Sequence, residues 1–331
     1  MSIAIVVPTN RPEQFWAFYS AWRHQFKRHN VTMYLVEDNP TITIDIMPEF
    51  AYKHLCQKNA EKYDFIPIRT GSIRSLGMLE AYKDGHDIIV TLDDDCLPAD
   101  DIDIIEEYKK AFNKKWSFSE YFDVGNTFGL NEFMRGYPIW EREVNNPLIQ
   151  YGGWDNVPDL DAFTQMKHED LGAVEGYEFD RKTMSMPNGV AFTGCIMNTA
   201  MKREAVPLLY QHMMGIERVG YDRADDIWSG YFAKKICDHL RIPILINGKA
   251  SIVHTRASNT RANLTKELVA YGYNDVLWKN LKTIKLKSEN IIDCYEELSR
   301  KVKPEWFGSN GHLIVEGMQK WIKQIKTLNI V

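Results

Sequence analysis

The sequence predicts an α/β protein: a mostly parallel β-sheet flanked by helices, with an insertion and a helical C-terminal region. Three observations carry that prediction. Short unbroken apolar runs alternate with segments of helical period over the first hundred residues. Polar and acidic residues gather where those runs end. The chain has 331 residues, 44% hydrophobic and 26% charged, an ordinary composition for a folded protein long enough to bury a real core.

Residues 3–7 form the first apolar run, closed by Pro8, Thr9, Asn10, Arg11 and Pro12. Phe15, Phe18, Tyr19, Trp22 and Phe26 then recur at helical spacing. Residues 31–36 are the second strand, ending at Glu37, Asp38, Asn39 and Pro40. A helix is expected around 48–62 and a third strand at 65–68. After the loop at 69–72, Leu76, Leu79 and Tyr82 mark a helix, and residues 88–92 are a fourth strand running into Asp93. Unbroken apolar strands separated by helices imply a sheet covered on both faces. Ligands in such sheets sit beyond the carboxyl ends of the strands. Asn10, Asp38, Arg69 and the run Asp93, Asp94, Asp95 are therefore expected to converge on one crevice.

Residues from about 116 to 185 are aromatic, punctuated by Gly and Pro, and show no clear period. A structureless connection of that length is unusual inside a compact domain, so it reads as an insertion with short strands and functional loops. Residues 190–197 look like another core strand, followed by a helix at 200–211. An amphipathic helix is expected at 225–240, with short strands at 242–246 and 250–254. Beyond Arg261 the chain turns helical and richer in lysine. The expected division is a catalytic domain over 1–260 and a helical extension over 261–331.

A net charge of −5 does not mark a nucleic-acid binder. Five scattered cysteines (Cys56, Cys96, Cys195, Cys237, Cys294) without a CxxC pair speak against a zinc site or a disulfide framework, and fit a reducing compartment. The opening residues read as a strand rather than a signal peptide, and no run approaches the ~18 apolar residues of a membrane span. The expectation is a cytoplasmic, soluble protein. Neither a GxxxxGK[ST] loop nor a GxGxxG turn follows the first strand, which counts against a P-loop NTPase and a dinucleotide dehydrogenase.

Three adjacent carboxylates repel one another unless a cation joins them. Mg²⁺ or Mn²⁺ accepts carboxylates and substrate phosphate oxygens together. An isolated acidic triplet is more simply a solvated turn; the buried strand before Asp93 favours a metal site. Asp225 and Asp226 open a helix, where the macrodipole favours carboxylates. They suit acceptor hydroxyls or developing positive charge on a sugar equally well. His254 ends a strand, as a structural hydrogen-bonder or a further metal ligand. Arg11, Arg69, Arg74, Arg135 and Arg142 offer guanidinium forks suited to a diphosphate.

Taken in order, these residues resemble the reversibly glycosylated polypeptides, which include the plant UDP-arabinopyranose mutases, within the GT-A fold glycosyltransferases. The matching blocks are Leu92-Asp93-Asp94-Asp95-Cys96, Arg135-Gly136-Tyr137-Pro138, the stretch from Trp154 to Gln165, Gly194-Cys195-Ile196-Met197-Asn198, Asp225-Asp226-Ile227-Trp228-Ser229-Gly230 with Ile236-Cys237-Asp238-His239-Leu240, and His254-Thr255-Arg256-Ala257-Ser258-Asn259. They keep the family's order from about residue 65 to 265. The resemblance implies a GT-A fold, a UDP-sugar donor with UDP-arabinose favoured, and Mn²⁺ or Mg²⁺ held by Asp95 and His254, with Asp93 near the ribose or the metal's waters. It places Asp38 and the loop Pro8, Thr9, Asn10, Arg11 on the uridine, and Arg69, Arg74 and Asp94 complete the expected nucleotide-sugar set. Arg135 matches the arginine that becomes glycosylated in the family, and Arg142 a second one. Between them Ile139-Trp140-Glu141 stands where the plant proteins carry Phe-Ser-Leu. The expected activity is interconversion of UDP-arabinopyranose and UDP-arabinofuranose, with Arg135, Arg142, Asp225 and Asp226 as catalytic candidates and self-glycosylation at Arg135. The alternatives are transfer of the sugar to a glycan, a protein or a hydroxymethylated base of phage DNA, and a non-catalytic UDP-sugar-binding subunit. A homo-oligomer is left open.

Overall fold

The computed structural model describes residues 1–99, 101–170, 175–215, 219–255 and 259–328. The elements run β1 (Ile3–Thr9), α1 (Pro12–Arg28), β2 (Thr32–Glu37), β3 (Tyr52–Cys56), the single turn α2 (Gln57–Ala60), α3 (Arg74–Lys83), β4 (Ile88–Leu92), β5 (Cys96–Pro98) and α4 (Ile104–Phe112). There follow β6 (Trp116–Ser117), α5 (Val124–Thr127), β7 (Val144–Asn145), β8 (Ile149–Asn156), α6 (Ala162–Asp170), β9 (Thr183–Ser185) and β10 (Asn198–Lys202). The chain ends with α7 (Asp225–His239), β11 (Ile244–His254), α8 (Thr260–Thr283), α9 (Ile291–Lys301) and α10 (Gly311–Leu328).

Among the described residues, nine strands make one sheet in the order β3-β2-β1-β4-β10-β8-β11-β5, with β9 on β11. β3, β2, β1 and β4 are parallel neighbours; β10 runs antiparallel between β4 and β8, and β8 and β11 are again parallel. Six strands thus share one direction, and the predicted architecture stands: a large, mostly parallel sheet flanked by helices.

The apolar runs of β1 alternate between two cores. Ala4 and Val6 join one cluster, while Ile3, Ile5 and Val7 join the other with Phe15, Phe18, Trp22 and Phe26 of α1. On the opposite face α3 approaches so closely that a Cβ on Gly77 would lie 2.5 Å from Val6 Cγ1 and 2.7 Å from Val36 Cγ2. Any larger side chain there would push the helix off the sheet.

Several expected elements are relocated. The third strand is Tyr52–Cys56, inside the stretch read as a helix, and Phe65 and Ile66 enter the core from a loop. β3 is an edge strand with only Leu55 and Cys56 buried, so it lacks the apolar run that marks its neighbours. Residues 190–197 are irregular; the strand is Asn198–Lys202, followed by a 3₁₀ helix at Arg203–Leu209 where a helix over 200–211 was expected. Pro207 inside that segment does not permit a regular α-helix. The two short strands expected at 242–246 and 250–254 are one, β11, with an irregularity between Asn247 and Ile252. β8 belongs to the centre of the main sheet although it lies within the stretch read as an insertion.

The last helices share the first core. Trp321 of α10 is fully buried, stacks on Tyr210 at 5.3 Å between ring centroids, and its indole N–H donates to the Pro207 carbonyl at 3.0 Å. All five cysteines are free. Among the described residues no helix is long and apolar enough to cross a membrane.

Candidate active site

A cleft of about 880 Å³ opens beyond the carboxyl ends of β1, β2 and β4. It is lined by Pro8, Thr9, Asn10, Arg11, Asp38, Arg69, Arg74, Asp93, Asp94, Asp95, Asp225, Asp226 and His254. Every predicted site residue except Arg135 and Arg142 is therefore brought to one place. A cleft of that size takes a nucleotide-sized ligand.

The loops after β1 and β2 are tied together first. The Asp38 N–H donates to the Thr9 carbonyl at 2.7 Å, and its carboxylate accepts the Gln57 amide at 2.9 Å and the Arg69 N–H at 2.8 Å. Arg69 itself sits at φ 61°, in the left-handed region that costs a non-glycine residue.

The acidic triplet sends its side chains three ways. Asp93 pairs with Arg74. Asp94 is buried, accepting the Thr9 hydroxyl at 2.5 Å and pairing with Arg11; burial raises its pKa, against the opposing pull of those two partners. Asp95 faces Arg11 at 3.2 Å and the His254 Nε2 at 3.9 Å. The cations that three neighbouring carboxylates need are thus partly supplied by two arginines. Repulsion within the triplet consequently argues less for a metal than the sequence reading held.

His254 bears on the metal more directly. Its Nδ1 lies 2.8 Å from the Val157 carbonyl, which can only accept, so Nδ1 carries a proton and Nε2 is the atom turned toward Asp95. A histidine fixed through its other nitrogen by a backbone carbonyl is the usual preparation of a metal ligand. Among the described residues no cluster of three His, Cys, Asp or Glu side chains is assembled for a metal. Two protein ligands complemented by substrate oxygens and water match how Mg²⁺-type ions are held at phosphate sites, so the Asp95–His254 pair fits such an ion.

The far wall is built otherwise. Asp225 and Asp226 stand at the start of α7, where the helix dipole would lower their pKa values. Burial and crowding win instead. Asp225 is raised by burial and by Asp222, although Arg74 and the Ser72 hydroxyl at 3.2 Å oppose. Asp226 is pushed up to about 7 by burial, then by Asp225 and Asp159, against Arg74. Its oxygens accept the Ile227 N–H at 2.8 Å and the Ile196 N–H at 3.5 Å. Behind both lies the buried Arg74 guanidinium, with Nε and Nη1 unpartnered. Trp154, Tyr271 and Lys266 also line this side.

Among the described residues, ten carboxylates and five Lys or Arg side chains line the cleft, so an anionic diphosphate would enter an acidic field unless a further cation came with it.

Arg135 is exposed and outside the lining. Arg142 is exposed too; its Nε and Nη2 donate to the Tyr137 carbonyl at 3.3 and 3.2 Å, and its guanidinium lies over Phe133 at 5.6 Å. Within the block from His254 to Asn259, Arg256, Ala257 and Ser258 lie outside the described residues. Glu267 and Tyr271 are missed by the sequence altogether, and Arg223, Asp159 and Trp154 have no role assigned to them there. No local pattern marks them, because their place in the cleft comes from packing between distant segments.

Against known proteins, a profile of the reversibly glycosylated polypeptides matches residues 1–330. The chain is 30% identical to a probable UDP-arabinopyranose mutase 1 of Solanum tuberosum, covering 99% of this chain and 91% of that protein. It is 30% identical to UDP-arabinopyranose mutase 1 of Arabidopsis thaliana (98% and 92% covered) and 29% identical to that of Oryza sativa subsp. japonica (98% and 90%). Likeness to solved structures is distant: a mannosyltransferase from Pyrobaculum calidifontis in complex with GDP-Man and Mn²⁺ aligns over 99% of this chain and 75% of its own at 9% identity. Its TM-score of 0.40 is too low to bear on ligand or metal. The profile match and the full-length relatives agree: this chain belongs to the reversibly glycosylated polypeptide family.

Proposed function

We propose that the protein is a cytoplasmic enzyme acting on a UDP-sugar, interconverting the pyranose and furanose forms of UDP-arabinose, with the catalytic work in residues 1–260 and the helices of 261–331 as an extension packed on them. The observation that carries this reading is the single cleft in which strand-end residues gather in a chain about 30% identical to UDP-arabinopyranose mutases along its length. Pro8 to Arg11 and Asp38 form the nucleoside side, and Arg69 and Arg74 lie toward the diphosphate. Asp95 and His254 would hold Mn²⁺ or Mg²⁺, with Asp93 close by. When bound, the ion supplies positive charge against the leaving diphosphate, the largest expected electrostatic contribution.

Ring contraction is an isomerisation: one proton must leave the sugar hydroxyl that becomes the ring oxygen, and one must arrive at the oxygen that leaves the ring. Asp225 and Asp226 suit that exchange, since burial, and after it the neighbouring carboxylates, raise both and keep a proton on the pair near neutral pH. Asp159 and Trp154, which line the cleft, would hold and cover the sugar. The resemblance also implies glycosylation at Arg135. Exposed and outside its own cleft, that arginine would meet the donor of another molecule; Arg142, held on its own loop, would support the segment.

The test is incubation with UDP-arabinopyranose and Mn²⁺, with the nucleotide products separated by chromatography. Furanose nucleotide is expected. Its absence with folded, UDP-binding protein would overturn the mutase reading, and sugar transferred to an added acceptor without furanose nucleotide would replace it with a transferase.

A further inference from the structure

The far wall of the cleft is assembled from segments distant in sequence, and one buried carboxylate joins them. Glu267 on α8 is 7% exposed. Its Oε2 accepts the Ala162 N–H at 2.7 Å and the Tyr271 hydroxyl at 2.8 Å, while its Oε1 accepts the Arg223 Nε–H at 2.8 Å. Ala162 opens α6 directly after Asp159, Leu160 and Asp161, and Arg223 stands two residues before Asp225. The Tyr271 oxygen also lies 3.4 Å from the Asp161 carboxylate, but its one proton is committed to Glu267. Arg223 is held at φ 63°, a left-handed conformation that persists only where the surroundings impose it.

A buried carboxylate is tolerated when its oxygens are occupied and its charge is paired. Here three donors occupy Glu267, and each belongs to a different part of the wall. A carboxylate used only for stability has no need to reach two loops that both carry cleft aspartates.

We propose that Glu267 is a positioning residue: it fixes the Asp159 loop and the Arg223–Asp226 turn relative to one another, and so sets the geometry of the sugar side while leaving the nucleotide side untouched. The inference rests on the reading of this cleft as a nucleotide-sugar site. It also gives α8, in the expected extension, a direct part in the cleft.

Glu267→Gln tests it, since glutamine keeps the size and can still accept the Ala162 N–H but removes the charge facing Arg223. The expected result is a fall in kcat of ~10–100-fold, the scale of a small misplacement of reacting groups, with KM and UDP affinity changed by less than ~2-fold, as for an interaction absent from ground-state binding. Glu267→Asp, retaining the charge on a shorter stem, should recover part of the lost kcat. Hydrogen exchange should quicken in residues 159–165 and 222–226 and stay unchanged in residues 3–11 and 88–95. Tyr271→Phe, which spares the ion pair, should show the same pattern at smaller size and carries the test if the glutamine variant does not fold. Unchanged kcat in folded variants, or equal losses of kcat and UDP affinity, would overturn the proposal. If the wild type converts no nucleotide sugar, the reading of the cleft falls, and the exchange pattern alone decides whether Glu267 positions this wall.

Discussion

The two walls of the cleft use the same residue type in opposite ways. On the strand-end side, Asp93, Asp94 and Asp95 each meet an arginine, and the triplet is one tight turn at the end of a single strand. On the far side, Asp159, Asp225 and Asp226 come from two separate segments, and burial, then mutual crowding, outweighs Arg74, so the Asp225–Asp226 pair is raised. An aspartate's chemistry here follows from its neighbours, whose charges and burial decide which form is favoured. Under the proposed function, the first wall would take the cation and the phosphate, and the second would hold the proton.

The largest effect should come from breaking the first wall at its open position. Asp95→Ala is expected to lower kcat/KM by ~10³-fold if Asp95 and His254 share an ion, since a lost ligand removes the charge offsetting the diphosphate. It should also abolish the rise in melting temperature that Mn²⁺ gives in the presence of UDP. An undiminished Mn²⁺ effect would remove Asp95 from the metal site.

Asp226→Asn sharpens the contrast next, with an expected loss of ~10²-fold in kcat, typical of a removed acid–base group. It also has a signature in stability. Asp226 is raised in the folded state, so folded protein binds more protons than unfolded protein between the ordinary carboxylate range and about 7. Stability therefore falls as pH rises through that window and levels off above it. The asparagine variant should lose that slope, gaining stability relative to wild type at pH 7 and above. Melting curves from pH 4 to 8 check it; parallel curves would mean Asp226 titrates normally.

Arg142→Ala, outside both walls, should do least. An exposed side chain bound only to its own loop is worth within ~0.5 kcal/mol of stability, and UDP affinity measured by calorimetry should not move. A large loss of affinity would bring that loop into the site after all.

The difference between the walls also explains what was legible beforehand. Asp38, Asp93 and the Pro8–Arg11 loop follow strands whose apolar runs are continuous, and the end of a parallel strand points to one place. β3 escaped because an edge strand buries little, leaving Tyr52 and Lys53 exposed and no run to read. Asp225 and Asp226 were visible as a helix start, yet their protonation was not, because it depends on Asp159 and Arg74 arriving from elsewhere. Nothing in the sequence singled out Glu267, because its partners Ala162 and Arg223 come from distant segments.

By itself the sequence determined the α/β class, the strand-end crevice and the acidic triplet at its floor, since these follow from local apolar periodicity and the directionality of parallel strands. Only the tertiary structure decided that the triplet is shared between Arg11, Arg74 and His254, that Arg135 and Arg142 stand apart from the cleft, and that Glu267 ties its far wall. Those outcomes depend on distances between segments far apart in the chain, Asp95 and His254 among them, and charge, burial and hydrogen bonding are set by those distances rather than by residue type.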